Sequence, residues 1–129
     1  MLAASDGPDL GDVLTVLVRH EPDYVLVTVA GEVDFASAAG LRERLFTLAK
    51  AGRPLVADLD RVSFIDAAGL GVLAGAARQA AAHGASLRVV CARRRVRRLF
   101  GLTQLDRAVP VAESVAEVQV AAGADAEAV

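Results

Sequence analysis

The chain of 129 residues contains no tryptophan, one tyrosine and four phenylalanines. Its core must therefore be built from Val, Leu and Ala, and aromatic rings are too few to form a row of stacking platforms. Cys91 is the only cysteine, so no internal disulfide can form and the chain reads as intracellular. Lysine is nearly absent, because arginine carries every positive charge except that of Lys50. Neither sign of charge dominates. Lys plus Arg total 14 against 16 Asp plus Glu, which argues against a generic nucleic-acid or membrane-surface protein. No apolar run approaches the ~18 residues that span a bilayer. Residues 1–7 lack the basic and apolar regions of a secretion signal. A soluble, cytoplasmic protein without membrane insertion is expected.

What is present suffices for one compact domain. The chain is 54% hydrophobic, enough to close one aliphatic core at this length. Residues 1–11, with Gly, Pro and Asp, read as a flexible arm, 12–120 as the domain, and the Ala-rich acidic stretch 121–129 as a flexible tail. β-branched apolar runs predict strands over 13–18 and 24–29, joined by the His20-Glu21-Pro22-Asp23 turn and so antiparallel. Gly31-Glu32-Val33-Asp34-Phe35 breaks the second strand. Ser37 is a candidate N-cap for a helix over 38–50, with Leu41, Leu45 and Leu48 on one face and Gly52 and Pro54 closing it. A third strand follows over 55–59, then a turn, then an Ala-rich helix over 67–82 that buries Leu70, Leu73, Ala77 and Ala80 and ends at Gly84. A fourth strand over 87–91 leads to a helix over 94–100, with Val96, Leu99 and Phe100 inward and Gly101 as C-cap. A short strand over 109–111 contains Pro110 and so belongs at a sheet edge. A last helix spans 113–120. The order ββαβαβαβα defines an α/β fold, a mixed sheet with helices packed on it.

Few constellations point to catalysis. His20 and His83 stand alone beside turns, without partners at metal-ligand spacing. Cys91 at a strand end reads as a small buried hydrophobe. Gly69-Leu70-Gly71 resembles part of a phosphate loop but lacks its lysine; close packing of a helix start explains the glycines more simply. The run Arg93-Arg94-Arg95-Val96-Arg97-Arg98 offers a nucleic-acid patch or a basic partner-docking face, but it carries a helical core stripe and no interleaved aromatics, which favours a solvated face for its arginines. Asp34, Asp58, Asp60 and Asp66 lie at strand ends or in the turns after them, where a metal site competes with capping and loop solvation as the explanation. Asp66 fits the cap of the Ala-rich helix. No cofactor, metal or enzymatic activity is expected.

Three segments carry a resemblance: Gly31 through Ala38; Leu55 through Leu59 continuing to Phe64-Ile65-Asp66-Ala67-Ala68-Gly69-Leu70-Gly71; and Val96 through Leu105. In order and spacing they resemble the STAS domain of bacterial anti-sigma factor antagonists. The resemblance implies a regulatory binding module that sequesters an anti-sigma factor, often a Ser/Thr kinase, and so frees a sigma factor for transcription, with a phosphatase resetting the cycle. It implies a partner surface of Glu32, Asp34, Ser37, Asp66, Ala67, Ala68, Gly69 and Gly71. It also places the usual phosphoacceptor at Ala67, which has no hydroxyl. Either a serine was replaced there by design, or a natural relative binds without this covalent switch; Ser63 and Ser37 remain nearby hydroxyls. Two other roles of STAS domains stay open, a subunit of an ABC-type lipid transport system and a ligand-sensing domain. An exposed edge strand leaves a homodimer open.

Overall fold

The computed structural model describes residues 14–118. Five strands form one sheet in the order β1-β2-β3-β4-β5. β1 (Leu14–His20) is antiparallel to β2 (Val25–Val33), and β3 (Leu55–Ile65), β4 (Leu87–Val90) and β5 (Val111–Ala112) each add in parallel. The crossovers are α1 (Phe35–Ala49), α2 (Ala67–Ala82) and α3 (Arg94–Leu102), the last followed by a 3-10 turn at Leu105–Arg107. The sheet is mixed and helices pack on it, as the alternation of strand and helix patterns requires. β5 is an edge strand, which suits Pro110 immediately before it.

The main core is aliphatic. Val25, Val27 and Val29 of β2 and Leu55, Ala57 and Leu59 of β3 meet Leu41 and Leu45 of α1 and Leu73, Ala76 and Ala80 of α2. Val96 and Phe100 of α3 enter the same core. A smaller cluster of Tyr24, Val56, Val90 and Val118 lies apart from it, the last on a helical turn at 115–118. Each strand thus sends alternate residues to different surroundings, as strand geometry dictates. The expected arm at 1–11, tail at 121–129 and end of the last helix lie outside the described residues.

Several boundaries differ from those the sequence suggests. β2 runs through Gly31 to Val33 instead of stopping at Val29. Gly31 has φ 108, a conformation that glycine adopts without penalty, and the ladder to β3 slips between Gly31 and Glu32. β3 runs 11 residues to Ile65, where a turn was expected after Leu59. Two slips opposite β2 absorb extra residues on β3, so the charged stretch Asp58-Leu59-Asp60-Arg61 stays in the sheet although it breaks the apolar alternation. At the end of α3, Gly101 is helical rather than capping. Thr103 is the C-cap, its hydroxyl donating to the Leu99 carbonyl at 2.7 Å, and Gln104 takes the left-handed conformation with φ 60. His20 ends β1 rather than opening a turn.

Candidate functional site

The bulges of β3 carry its last residues alongside the end of β2, so Val33 pairs with Ile65 and the Asp66 amide donates to the Val33 carbonyl at 3.1 Å. Two helices begin at this junction. Asp66 caps α2, accepting from the Gly69 amide at 3.1 Å through Oδ1. Its other oxygen, Oδ2, accepts from the Phe35 amide at 3.2 Å, in the first turn of α1. One carboxylate therefore satisfies free N–H groups at two helix starts and fixes them relative to each other.

α1 is capped by Asp34, not by Ser37. Ser37 is the third residue of the helix and completes a capping box: its amide donates to Asp34 Oδ1 at 3.0 Å, and its hydroxyl accepts from the Asp34 amide at 3.1 Å. The Ser37 hydroxyl also donates to the Glu32 carbonyl at 2.9 Å. Ser37 is 4% exposed. Aspartate and serine are both good caps, and the helix starts at the earlier one because β2 runs on to Val33.

These contacts sort the eight site residues predicted from the sequence. Glu32 and Ala67 are exposed, Asp34, Asp66 and Ala68 half-buried, and Gly71 exposed on the next turn of α2. Ser37 and Gly69 lie beneath this surface and act on its shape. A methyl group on Gly69 would sit 2.6 Å from Val33 Cγ1, 2.7 Å from Ile65 Cγ1 and 2.9 Å from the Val33 carbonyl oxygen, so glycine lets α2 pack against the strand ends. Gly71 has no such role, since a Cβ there meets nothing within 4 Å. It opens on a shallow groove of about 320 Å³ whose lining includes Arg42, Phe46, Gly75 and Arg78.

Sequence reasoning missed two members of this surface. Phe35, the first residue of α1, is 86% exposed, and Phe64, opposite Glu32 on the ladder, is 48% exposed. The signals were present. An aromatic directly after a helix cap lies past the strand ends, and Phe64 alternates with the buried Ile65.

The other candidates are held by ordinary structural roles. Asp58 accepts from the Asp60 amide at 3.0 Å, and Asp60 from the Ala92 amide at 2.6 Å. Among the described residues, no three His, Cys, Asp or Glu side chains converge as a metal site requires. Cys91 is buried, and that burial pushes its thiol above the ordinary range. Arg93 donates to the Val62 carbonyl at 3.2 Å and Arg97 pairs with Glu113 at 3.6 Å, while Arg94, Arg95 and Arg98 are exposed. Among the described residues no helix is long and apolar enough to cross a membrane.

The STAS domain family matches residues 15–118, a span that holds both helix starts and all of the sheet but Leu14. The chain belongs to the STAS domain family. It is 38% identical over 92 residues to an anti-sigma-B factor antagonist of Bacillus subtilis, covering 71% of this chain and 84% of the relative. It is 32% identical over 94 residues to the protein of the same name in Listeria monocytogenes, covering 72% and 82%. Among solved structures, an anti-sigma factor antagonist from Mycobacterium paratuberculosis superposes with a TM-score of 0.78 at 28% identity, covering 86% of this chain and 95% of that one. Ala67 of this STAS domain stands exposed at the first position of α2, beside the Asp66 cap.

Proposed function

We infer that this STAS domain is an anti-sigma factor antagonist: it binds an anti-sigma factor and so releases a sigma factor for transcription. Its relatives carry that name, and the lipid-transport and ligand-sensing readings gain nothing from them. The observation that carries the reading is the doubly bonded Asp66, which ties two helix starts together beside the exposed Ala67. Helix starts tied in this way lose little freedom on docking, so contacts made there convert efficiently into affinity.

The anti-sigma factor takes the role of Ser/Thr kinase in the resemblance. In this chain the site for such a kinase is closed at position 67, where alanine offers no oxygen. Ser37 is no substitute, because its hydroxyl is buried and committed to the Glu32 carbonyl and the Asp34 amide. The domain therefore acts as a binder that is not switched off at this position, and it performs no chemistry of its own. A cytoplasmic location follows from that role.

Substituting position 67 tests the reading. Ala67→Asp adds a negative charge at a helix N-terminus, where the dipole favours it by roughly 0.3–1 kcal/mol, so the fold is not weakened. In a docked interface the same charge is desolvated beside Asp66. Titration calorimetry against the anti-sigma factor from the same organism should show at least a tenfold loss for Ala67→Asp and near wild-type affinity for Ala67→Ser. Equal affinities for all three proteins would remove the face around Ala67 from the interface.

A further inference from the structure

Two large apolar side chains flank the junction that Asp66 locks. Phe35 is 86% exposed, although its backbone is fixed at both ends of the turn: the Asp34 cap precedes it and its own amide donates to Asp66. Phe64 is 48% exposed one ladder position before the Val33–Ile65 pair. Around them the chain places small residues, with Ala36, Ala39, Ala67 and Gly71 all exposed. A largely exposed phenylalanine on a hydrogen-bonded helix start keeps its apolar area in water for no gain in the free protein.

Charge within the two segments that form the junction is of one sign, while Arg42 and Arg78 line the groove beside Gly71. The two segments 31–37 and 63–71 contain Glu32, Asp34 and Asp66, and no Lys or Arg. Asp34 and Asp66 face the partial positive charge of two helix N-termini, whereas Glu32 is exposed and lies opposite Phe64.

We propose that Phe35 is the anchor by which this face enters its protein partner, with Phe64 beside it, and that the matching surface is an apolar pocket rimmed by Lys or Arg. The proposal rests on the reading of the chain as an anti-sigma factor antagonist and specifies the chemistry of that partner. Aromatic anchors on a preorganised backbone are the residues that dominate binding at such interfaces, and a one-signed rim selects a rim of opposite sign.

The test uses the full chain and the anti-sigma factor of its own organism. Affinities and association rates are measured for the wild type, Phe35→Ser, Phe35→Trp, Phe64→Ser and Glu32→Lys, with a urea midpoint for each. The expected result is a loss of about 30- to 100-fold for Phe35→Ser with an unchanged urea midpoint, and substantial retention in Phe35→Trp. Phe64→Ser loses less. Glu32→Lys slows association, and added salt slows it for the wild type. A Phe35→Ser variant binding within threefold of the wild type would overturn the anchor and leave the antagonist reading standing. A wild type that binds no anti-sigma factor would overturn both. Concentration-dependent dimerisation abolished by Phe35→Ser, with partner affinity unchanged, would assign the ring to a second copy instead and also overturn the proposal.

Discussion

Gly69 and Gly71 sit two residues apart in α2, yet the structure gives them opposite responses to the same methyl group. At Gly69 an added Cβ lies 2.6 and 2.7 Å from the side chains of Val33 and Ile65 and 2.9 Å from a backbone oxygen. Carbon atoms prefer about 3.5–4.0 Å, so roughly 1 Å must be recovered. Val33 and Ile65 are buried and β-branched, with little χ1 freedom, and the carbonyl cannot move without the sheet. Overpacking of this kind costs about 1–3 kcal/mol, against a gain in helix propensity of at most about 1 kcal/mol. Gly69→Ala is therefore expected to lose roughly 1–2 kcal/mol. At Gly71 nothing lies within 4 Å, and alanine should stabilise the helix by about 0.5–1 kcal/mol. Gly75 is the intermediate case. Its Cβ would meet the tip of the Phe46 ring at 2.9 Å, which can swing aside, so a change within about 0.5 kcal/mol follows. Urea unfolding followed by circular dichroism reads all three. With a slope of about 1.5 kcal/mol per molar, the midpoints of Gly69→Ala and Gly71→Ala should differ by ~1–2 M. Equal midpoints would refute the packing argument, and a destabilised Gly71→Ala would show that its face is occupied.

Further outcomes follow from the same junction and from the core. Asp66→Ala leaves the Gly69 and Phe35 amides without their acceptor and should cost about 1–2 kcal/mol in urea unfolding, whereas Asp66→Asn keeps one acceptor oxygen of the two and should recover about half of it; full recovery by Asn would show that only one of the two bonds matters. Ser37→Ala breaks the capping box and the bond to Glu32, an expected loss of about 1–2 kcal/mol; a midpoint unchanged from wild type would place the stability of this turn elsewhere. Burial raises the Cys91 thiol, so the folded protein keeps it neutral at a pH where the unfolded chain already ionises. Its contribution to stability is full below roughly pH 8.5 and is lost as pH rises towards the higher folded value. Wild type should therefore lose stability faster than Cys91→Ala between pH 8 and 10, and parallel curves would contradict the assignment.

Much of the architecture was legible in the residues because it depends on local pattern. The antiparallel start follows from a turn too short for any crossover, and α2 runs over 67–82 as its Ala-rich stretch between Asp66 and Gly84 predicts. Strand β3 was half legible. Its apolar half announces itself, but Asp58, Asp60 and Arg61 hide the rest, since only pairing with β2 keeps such residues extended. The cap of α1 was misplaced for a related reason: Asp34 and Ser37 are equally good candidates in isolation, and the length of β2 chooses between them. Phe35 and Phe64 were legible only in part: a place after a helix cap and alternation with Ile65 point outward, but hydrophobicity alone does not say whether a core lies beneath a side chain.

The sequence by itself determined the α/β order, the aliphatic core, the cap on α2 and the absence of a hydroxyl at position 67. These are properties of single residues and of their spacing, and they survive any arrangement of the elements. The tertiary structure decided the bulges of β3, the shared use of Asp66 by two helices, the burial of Ser37 and Gly69, and the exposure of two phenylalanines. The sharing of Asp66 and the close approach of Gly69 to Val33 depend on residues more than thirty positions apart meeting at one corner of the sheet. Such meetings are set by strand register and helix packing, which no local pattern of side chains encodes.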